Sequence, residues 1–254
     1  MENLKFSSLS EYLEIIRELP EKFNCHASDL WYRGIKDQTM ELIPGICWRE
    51  INPNREESLV AEFMTYYQNY SKHEPNNALE LLALMQHHGL PTRLLDWSMS
   101  PLVSLYFALE QDNNDATRVV WAMRPQLLNE LSIDYKGIVA PNDFRPTMIN
   151  DYLPKYLRSN NADVPEAPVA LSLPMVNQRM TSQKGVFTLH GFNKNSIDKY
   201  ISNSKELGCI KIELESEEFR QQVLQELYSS GLKEDDVYQD LNSLSTRIMR
   251  EYGI

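Results

Sequence analysis

Apolar residues recur at helical spacing in several separate runs. Leu9, Leu13, Ile16 and Leu19 mark a first helix, with Ser8 or Ser10 placed to cap it, Glu11 in its first turn and Pro20 at its predicted end. Glu56–Tyr70 carries Leu59, Phe63, Tyr66, Tyr67 and Tyr70 on one side, which predicts an amphipathic helix with its tyrosine-rich face in the core. Leu79, Leu82, Ala83 and Gln86 share the face of another helix, which Gly89 stops in a left-handed turn and Pro91 keeps from continuing. Ser100 before Pro101 reads as an N-cap with proline at the first helical position, and Leu102, Leu105, Tyr106 and Leu109 form the buried side that follows. Ser216 caps a helix with Phe219, Val223, Leu224 and Leu227 inward and Gly231 at its stop, and a last helix is predicted over about Asp235 to Tyr252.

Between these runs the pattern shortens to strands. Asp29–Ile35 is aromatic and apolar and breaks at Gly34, so it predicts a strand ending at a turn that carries Arg33. Leu42–Ile46 is an extended connector, and Thr92–Trp97 is extended between two helices. Arg118–Met123 predicts a core strand, Val169–Met175 a strand ending at Pro174, and Arg179–Gly191 a turn around Gly185 followed by a strand. Ile210–Leu214 alternates cleanly as a further strand. Residues 124–167, interrupted by Pro141, Pro146, Pro154 and Pro165, mix short helical pieces with loop. The order of elements predicts an α+β fold: one domain over residues 1–254, a mixed or antiparallel sheet with helices packed on it, residues 1–28 a helical extension and 29–250 the core.

Composition narrows the partners. The 254 residues carry a formal net charge of −11, which opposes broad attraction to nucleic acid or an anionic membrane but leaves room for a local basic pocket. Cys25, Cys47 and Cys209 are odd in number and form no CxxC, so a reducing cytoplasm is the simplest setting. The first residues lack the pattern of a signal peptide, and no run reaches the roughly 20 apolar residues of a membrane helix.

The polar residues with chemical use crowd into one place. Gln86, His87, His88, Thr92, Arg93, Asp96 and Ser98 fall between two apolar helical runs, at turns where side chains can converge on a ligand. His26, His73, His87, His88 and His190 have no zinc-ligand spacing, and adjacent His87 and His88 point about 100° apart on a helix, so no metal is expected. Arg33 beside Gly34 could clamp a phosphate or carboxylate with two hydrogen bonds, or pair with an acid at the edge of the core. Asp96 could be a general base, could orient Arg93 or a histidine, or could simply satisfy a buried arginine. Gln183, in the glycine turn, could bond a ligand amide or only its own turn.

In combination these residues resemble a known family. Tyr32-Arg33-Gly34, the block Leu82–Ser98 containing Gln86-His87-His88-Gly89-Leu90-Pro91-Thr92-Arg93 and Asp96-Trp97-Ser98, and Pro101–Ala108 are similar to the FRG-domain family, named for an aromatic-Arg-Gly motif. Pro44-Gly45, the late Arg179…Gln183-x-Gly185-Val186-Phe187 pattern and the tail Leu227–Leu244 extend the likeness over about residues 30–250. Two positions depart from the family pattern. His88 stands where Gln-His-Tyr-Gly is usual, and Val237–Asp240 where Phe-Pro-Asp is frequent.

The family is known mainly from bacteria and phages. Its arrangement is similar, more distantly, to ADP-ribosyltransferases, and by that likeness NAD is the expected substrate. The resemblance implies Arg33, His87, Asp96 and Gln183 as catalytic residues. Arg33, Gly34, Gln86, Thr92, Arg93, Ser98 and Arg179 would hold the nucleotide. Gln183 falls where a transferase has a glutamate, which points toward NAD hydrolysis or nucleotide binding. The leading expectation is an NAD-using transferase or glycohydrolase, of the kind used as a toxin or anti-phage effector. An enzyme acting on another nucleotide or on nucleic acid, and a non-catalytic nucleotide- or protein-binding module, are the alternatives. An enzyme requires Arg33, His87, Asp96 and Gln183 in one pocket. A purely structural role has Arg93 and Asp96 paired with each other away from any cavity.

Overall fold

The computed structural model describes residues 4–71, 74–111, 116–140, 146–157, 163–173, 178–202 and 204–254. His73, Pro141, and the predicted strand end at Pro174 and Met175 lie outside them. The strands are β1 (Leu4–Phe6), β2 (Trp31–Ile35), β3 (Leu94–Ser98), β4 (Val119–Met123), β5 (Val169–Leu171), β6 (Gly185–Leu189) and β7 (Cys209–Leu214). The helices are α1 (Leu9–Lys22), α2 (Gly45–Trp48), α3 (Pro53–Tyr66), α4 (Ala78–His87), α5 (Pro101–Leu109), α6 (Pro125–Ile133), α7 (Pro146–Tyr152), α8 (Gln178–Ser182), α9 (Ile197–Ile201), α10 (Arg220–Ser229), α11 (Glu234–Tyr238) and α12 (Leu241–Tyr252). The fold is α+β, built on one mixed sheet in the order β1-β7-β4-β2-β3-β6-β5. Among the described strands only β1 runs parallel to its strand neighbour, β7. Among the described residues no helix is long and apolar enough to cross a membrane.

Alternation along the strands sends residues to two faces. One face packs Tyr32, Val120, Ala122, Ile210 and Ile212 against α1, α5 and α10. Further along that same face, Leu94, Phe187, Leu189 and Val169 pack with residues of α3, α4 and α7. The opposite face carries Trp31, Ile35, Leu95, Trp97 and Trp121, covered by α6 and α9. Two groups of helices therefore share one side of the sheet, and the seam between them falls over β2 and β3.

Local signals account for most helix ends. The Ser8 hydroxyl accepts from the Glu11 amide, Ser100 caps α5 ahead of Pro101, and Gly89 and Gly231 take the left-handed φ values of 86° and 98° that end their helices. Four expectations need correction. Pro20 sits inside the last turn of α1, where the one hydrogen bond it removes does not stop the helix before Lys22. The Leu42–Ile46 connector turns into the short helix α2 at Gly45. The single tail helix is two, because Gln239 adopts φ 55° and the Asp240 carboxylate caps a new start by accepting from the Ser243 amide at 2.8 Å. The tyrosine-bearing face of Glu56–Tyr70 is core only in part: Leu59 and Phe63 pack against the buried cluster, while Tyr66 and Tyr70 are 55% and 90% exposed. Residues 4–22, for their part, join the sheet and its core: β1 extends β7, and Tyr12 and Leu19 of α1 are fully buried.

Gly34 lies within β2 and does not end it. A Cβ there would overlap the Ser104 carbonyl oxygen and lie 2.7 Å from the Ala108 amide nitrogen, both backbone atoms of α5. The glycine lets α5 sit directly on the strand.

Candidate functional site

β2 runs beside β4 along its whole length but meets β3 at the single register position Tyr32–Ser98. Beyond it the two strands part, and the sheet forks. The fork opens into a cleft of about 800 Å³, walled by β2, β3 and the start of β6, the end of α4, α5, α8 and the end of α2 with Trp48 and Arg49. That volume lies within the range of small-molecule and cofactor sites.

Arg33 fills the mouth of the fork. Its Nη1 donates to the Asp96 carbonyl at 2.5 Å, taking up an acceptor on the diverging strand edge. Its Nε is buried without a hydrogen-bond partner, and among the described residues it makes no salt bridge. Burial lowers the Arg33 pKa, and the nearby Asp96 charge opposes that shift. A guanidinium so placed has donors to spare and, among the described residues, no salt-bridge partner.

Asp96 is held from the other side. Gln86 Nε2 donates to Asp96 Oδ2 at 2.6 Å, and Gln86 Oε1 accepts from the Thr92 hydroxyl at 2.5 Å. The buried Thr92 hydroxyl also accepts from the Leu94 amide. A chain Thr92–Gln86–Asp96 thus fixes a carboxylate that is exposed to the cleft. His87 lines the same cleft, with its ring 4.9 Å from that of His88 and edge-on to it. Burial depresses the His87 pKa, Arg179 and His88 add to that, and Asp96 opposes it. The imidazole is held toward its neutral form, able to accept a proton.

Arg33, Gly34, Gln86, His87, Thr92, Asp96, Ser98, Arg179 and Gln183 all border this one cleft. Several of them are already engaged. The Ser98 hydroxyl donates to the Gln183 carbonyl at 2.6 Å and accepts from the Ser100 amide, so it ties β3 to the turn before β6 and to the start of α5. Gln183 Nε2 donates to the Val237 carbonyl of α11 at 3.2 Å. Gly34 borders the cleft, but its lack of a side chain is required by α5.

Arg93 does not reach the cleft. Its Nε and Nη2 form a bidentate pair with Glu56 at 2.7 and 2.5 Å, and Nη1 lies 3.4 Å from the Gly191 carbonyl. The expected ligand anchor is a structural ion pair that ties α3 to the residue just before β3. Its partner is Glu56, not Asp96.

Two residues that line the cleft, Glu110 and Trp48, and Tyr238, which bonds Glu110, carry no signal in the sequence. Glu110, at the end of α5, accepts from the Tyr238 hydroxyl at 2.7 and 2.6 Å. Burial raises the Glu110 pKa, opposed by hydrogen bonds from Tyr238 and Tyr106 and by Arg179. Tyr238 also supports Arg179, whose guanidinium carbon lies 4.8 Å from the ring centroid. Trp48 stands 58% exposed at the rim with the Arg49 guanidinium 3.8 Å from its ring. Glu110 closes an apolar helical run and Tyr238 lies in the tail, so neither shows a local motif.

The FRG domain family model matches residues 28–117. The chain carries an FRG domain over that stretch, from the turn before β2 to the start of β4, with Arg33, Gln86, His87, Asp96 and Glu110 inside it. Arg179 and Gln183, which complete the cleft, lie beyond it, as does Tyr238, which supports Arg179 and Glu110. No curated protein and no solved structure matches the chain.

Proposed function

We propose that the cleft binds NAD and cleaves its nicotinamide–ribose bond, with water as the first acceptor to test. The observation that carries this reading is a charge pattern across one cleft. Among the described residues Arg33 is a cation without a salt bridge, and Asp96 is a carboxylate without one, held in place by Gln86. Arg33 and Arg179 suit a pyrophosphate. Asp96 suits the positive charge that develops at the ribose carbon as its bond to nicotinamide breaks. The bonding electron pair returns to the pyridinium ring, water bonds to the ribose carbon, and its proton passes to His87 or Asp96. Consumption of NAD is the chemistry expected of a toxin or defence effector.

A second reading, a nucleotide-binding module without chemistry, is favoured by Gln183. It stands where a transferase has a glutamate, cannot ionise, and spends its amide on Val237. The two readings separate on nicotinamide release from NAD by the wild type, Arg33→Ala and Asp96→Asn. The expected result is release by the wild type, lost at least about 100-fold in Asp96→Asn, the lower range for a positioned acid–base group. Asn can still accept from Gln86, so the melting temperature should hold. Binding without release in the wild type gives the module. Neither release nor an NAD-dependent thermal shift overturns both.

A further inference from the structure

A second cavity, of about 420 Å³, lies on the outer side of α3 and α4. Phe63, Tyr66, Tyr67 and Tyr70 wall one side, and Leu84 and His88 the other. We infer that this cavity is a binding site for an alkylated ammonium cation, walled by aromatic rings and completed by Glu62.

Two independent features select a cation. The wall is aromatic: Phe63 and Tyr67 stack with centroids 5.5 Å apart and planes 11° from parallel, while Tyr66 and Tyr70 leave most of their surface to solvent. Ring faces are negative and attract a desolvated cation, quaternary ammonium above all. Glu62 is the one acidic side chain at the cavity, and it is exposed and in no ion pair among the described residues; no described Lys or Arg lines the cavity. A free phosphate gains nothing from the ring faces and is repelled by Glu62. Helical spacing explains why the rings gather: residues 59, 63, 66, 67 and 70 fall on one side of a continuous helical path through α3 and the following 3-10 turn Tyr67–Asn69.

The source of the cation is either a free small molecule or a methylated lysine on a protein, and the same chemistry reads both. The test is titration of the full chain, without NAD, by calorimetry and by aromatic-proton NMR. The probes are choline, its neutral isostere 3,3-dimethylbutanol, and a short peptide containing trimethyllysine beside its unmethylated form. The expected result is choline binding at least about 10-fold tighter than the neutral isostere, weakened about 5-fold or more by Tyr67→Leu and by Glu62→Gln, in line with cation–π strengths at partly desolvated sites. Tighter binding of the methylated peptide than of choline assigns the source to protein, and the reverse assigns it to a small molecule. Equal binding of choline and the isostere, or no binding of any cationic probe, overturns the inference. Unchanged melting temperatures in the two variants separate lost binding from lost folding.

Discussion

Removing Glu56 should destabilise the protein by about 3–5 kcal/mol, the cost of breaking a buried ion pair from one side. Glu56 and Arg93 are 5% and 9% exposed, so Glu56→Ala strands a guanidinium where water does not reach it. Both hydrogen bonds of the pair, at 2.7 and 2.5 Å, are lost together, and the 3.4 Å contact to the Gly191 carbonyl is too long to replace them. For a chain of this size each kcal/mol moves the midpoint by about 2–4 °C, so the melting temperature should fall by about 6–20 °C. Urea unfolding followed by tryptophan fluorescence measures the loss directly. The double variant Glu56→Leu with Arg93→Met should recover most of it, because desolvating the pair offsets much of its attraction. A loss below about 1 kcal/mol in Glu56→Ala would show a pair that behaves as if on the surface, and the burial argument would fail. A stable double variant that no longer binds NAD would return Arg93 to the ligand.

Two further outcomes follow from buried groups near the site. His190 is fully buried beside Arg93, and burial pulls its pKa down from 6.5 to about 3. A depressed value means that its stabilising contribution is whole above pH 6.5 and is lost as pH falls toward 3; about 2 kcal/mol should be gone by pH 5, and His190→Gln should flatten that part of a stability–pH curve, whereas an equally steep curve in the variant would refute the assignment. Gly34→Ala should cost about 1–3 kcal/mol or more by forcing α5 off β2, read as a fall in urea midpoint, and a neutral result would mean the helix does not sit on the glycine.

Much of this protein was legible in the chain itself, because the signals are local. A serine hydroxyl meets an amide three residues on, a glycine takes φ 86° within its own turn, and alternation over five residues suffices to define a strand. Ser8, Gly89, Ser100-Pro101 and Gly231 therefore mark their elements without help from the rest of the fold, while Ser216 caps the 3-10 turn Glu217–Phe219 ahead of α10. The resemblance likewise came from contiguous motifs, and the matched FRG stretch is where they lie densest. What depended on partners far along the chain was not legible. The choice of Glu56 over Asp96 for Arg93, the packing need behind Gly34, and the meeting of Glu110 with Tyr238 each join residues whose sequence separation carries no pattern. Strand order decides them. Placing β3 between β2 and β6 brings residues 33, 96 and 183 together, and the parting of β2 from β3 after one register position turns a knot of polar residues into a cleft.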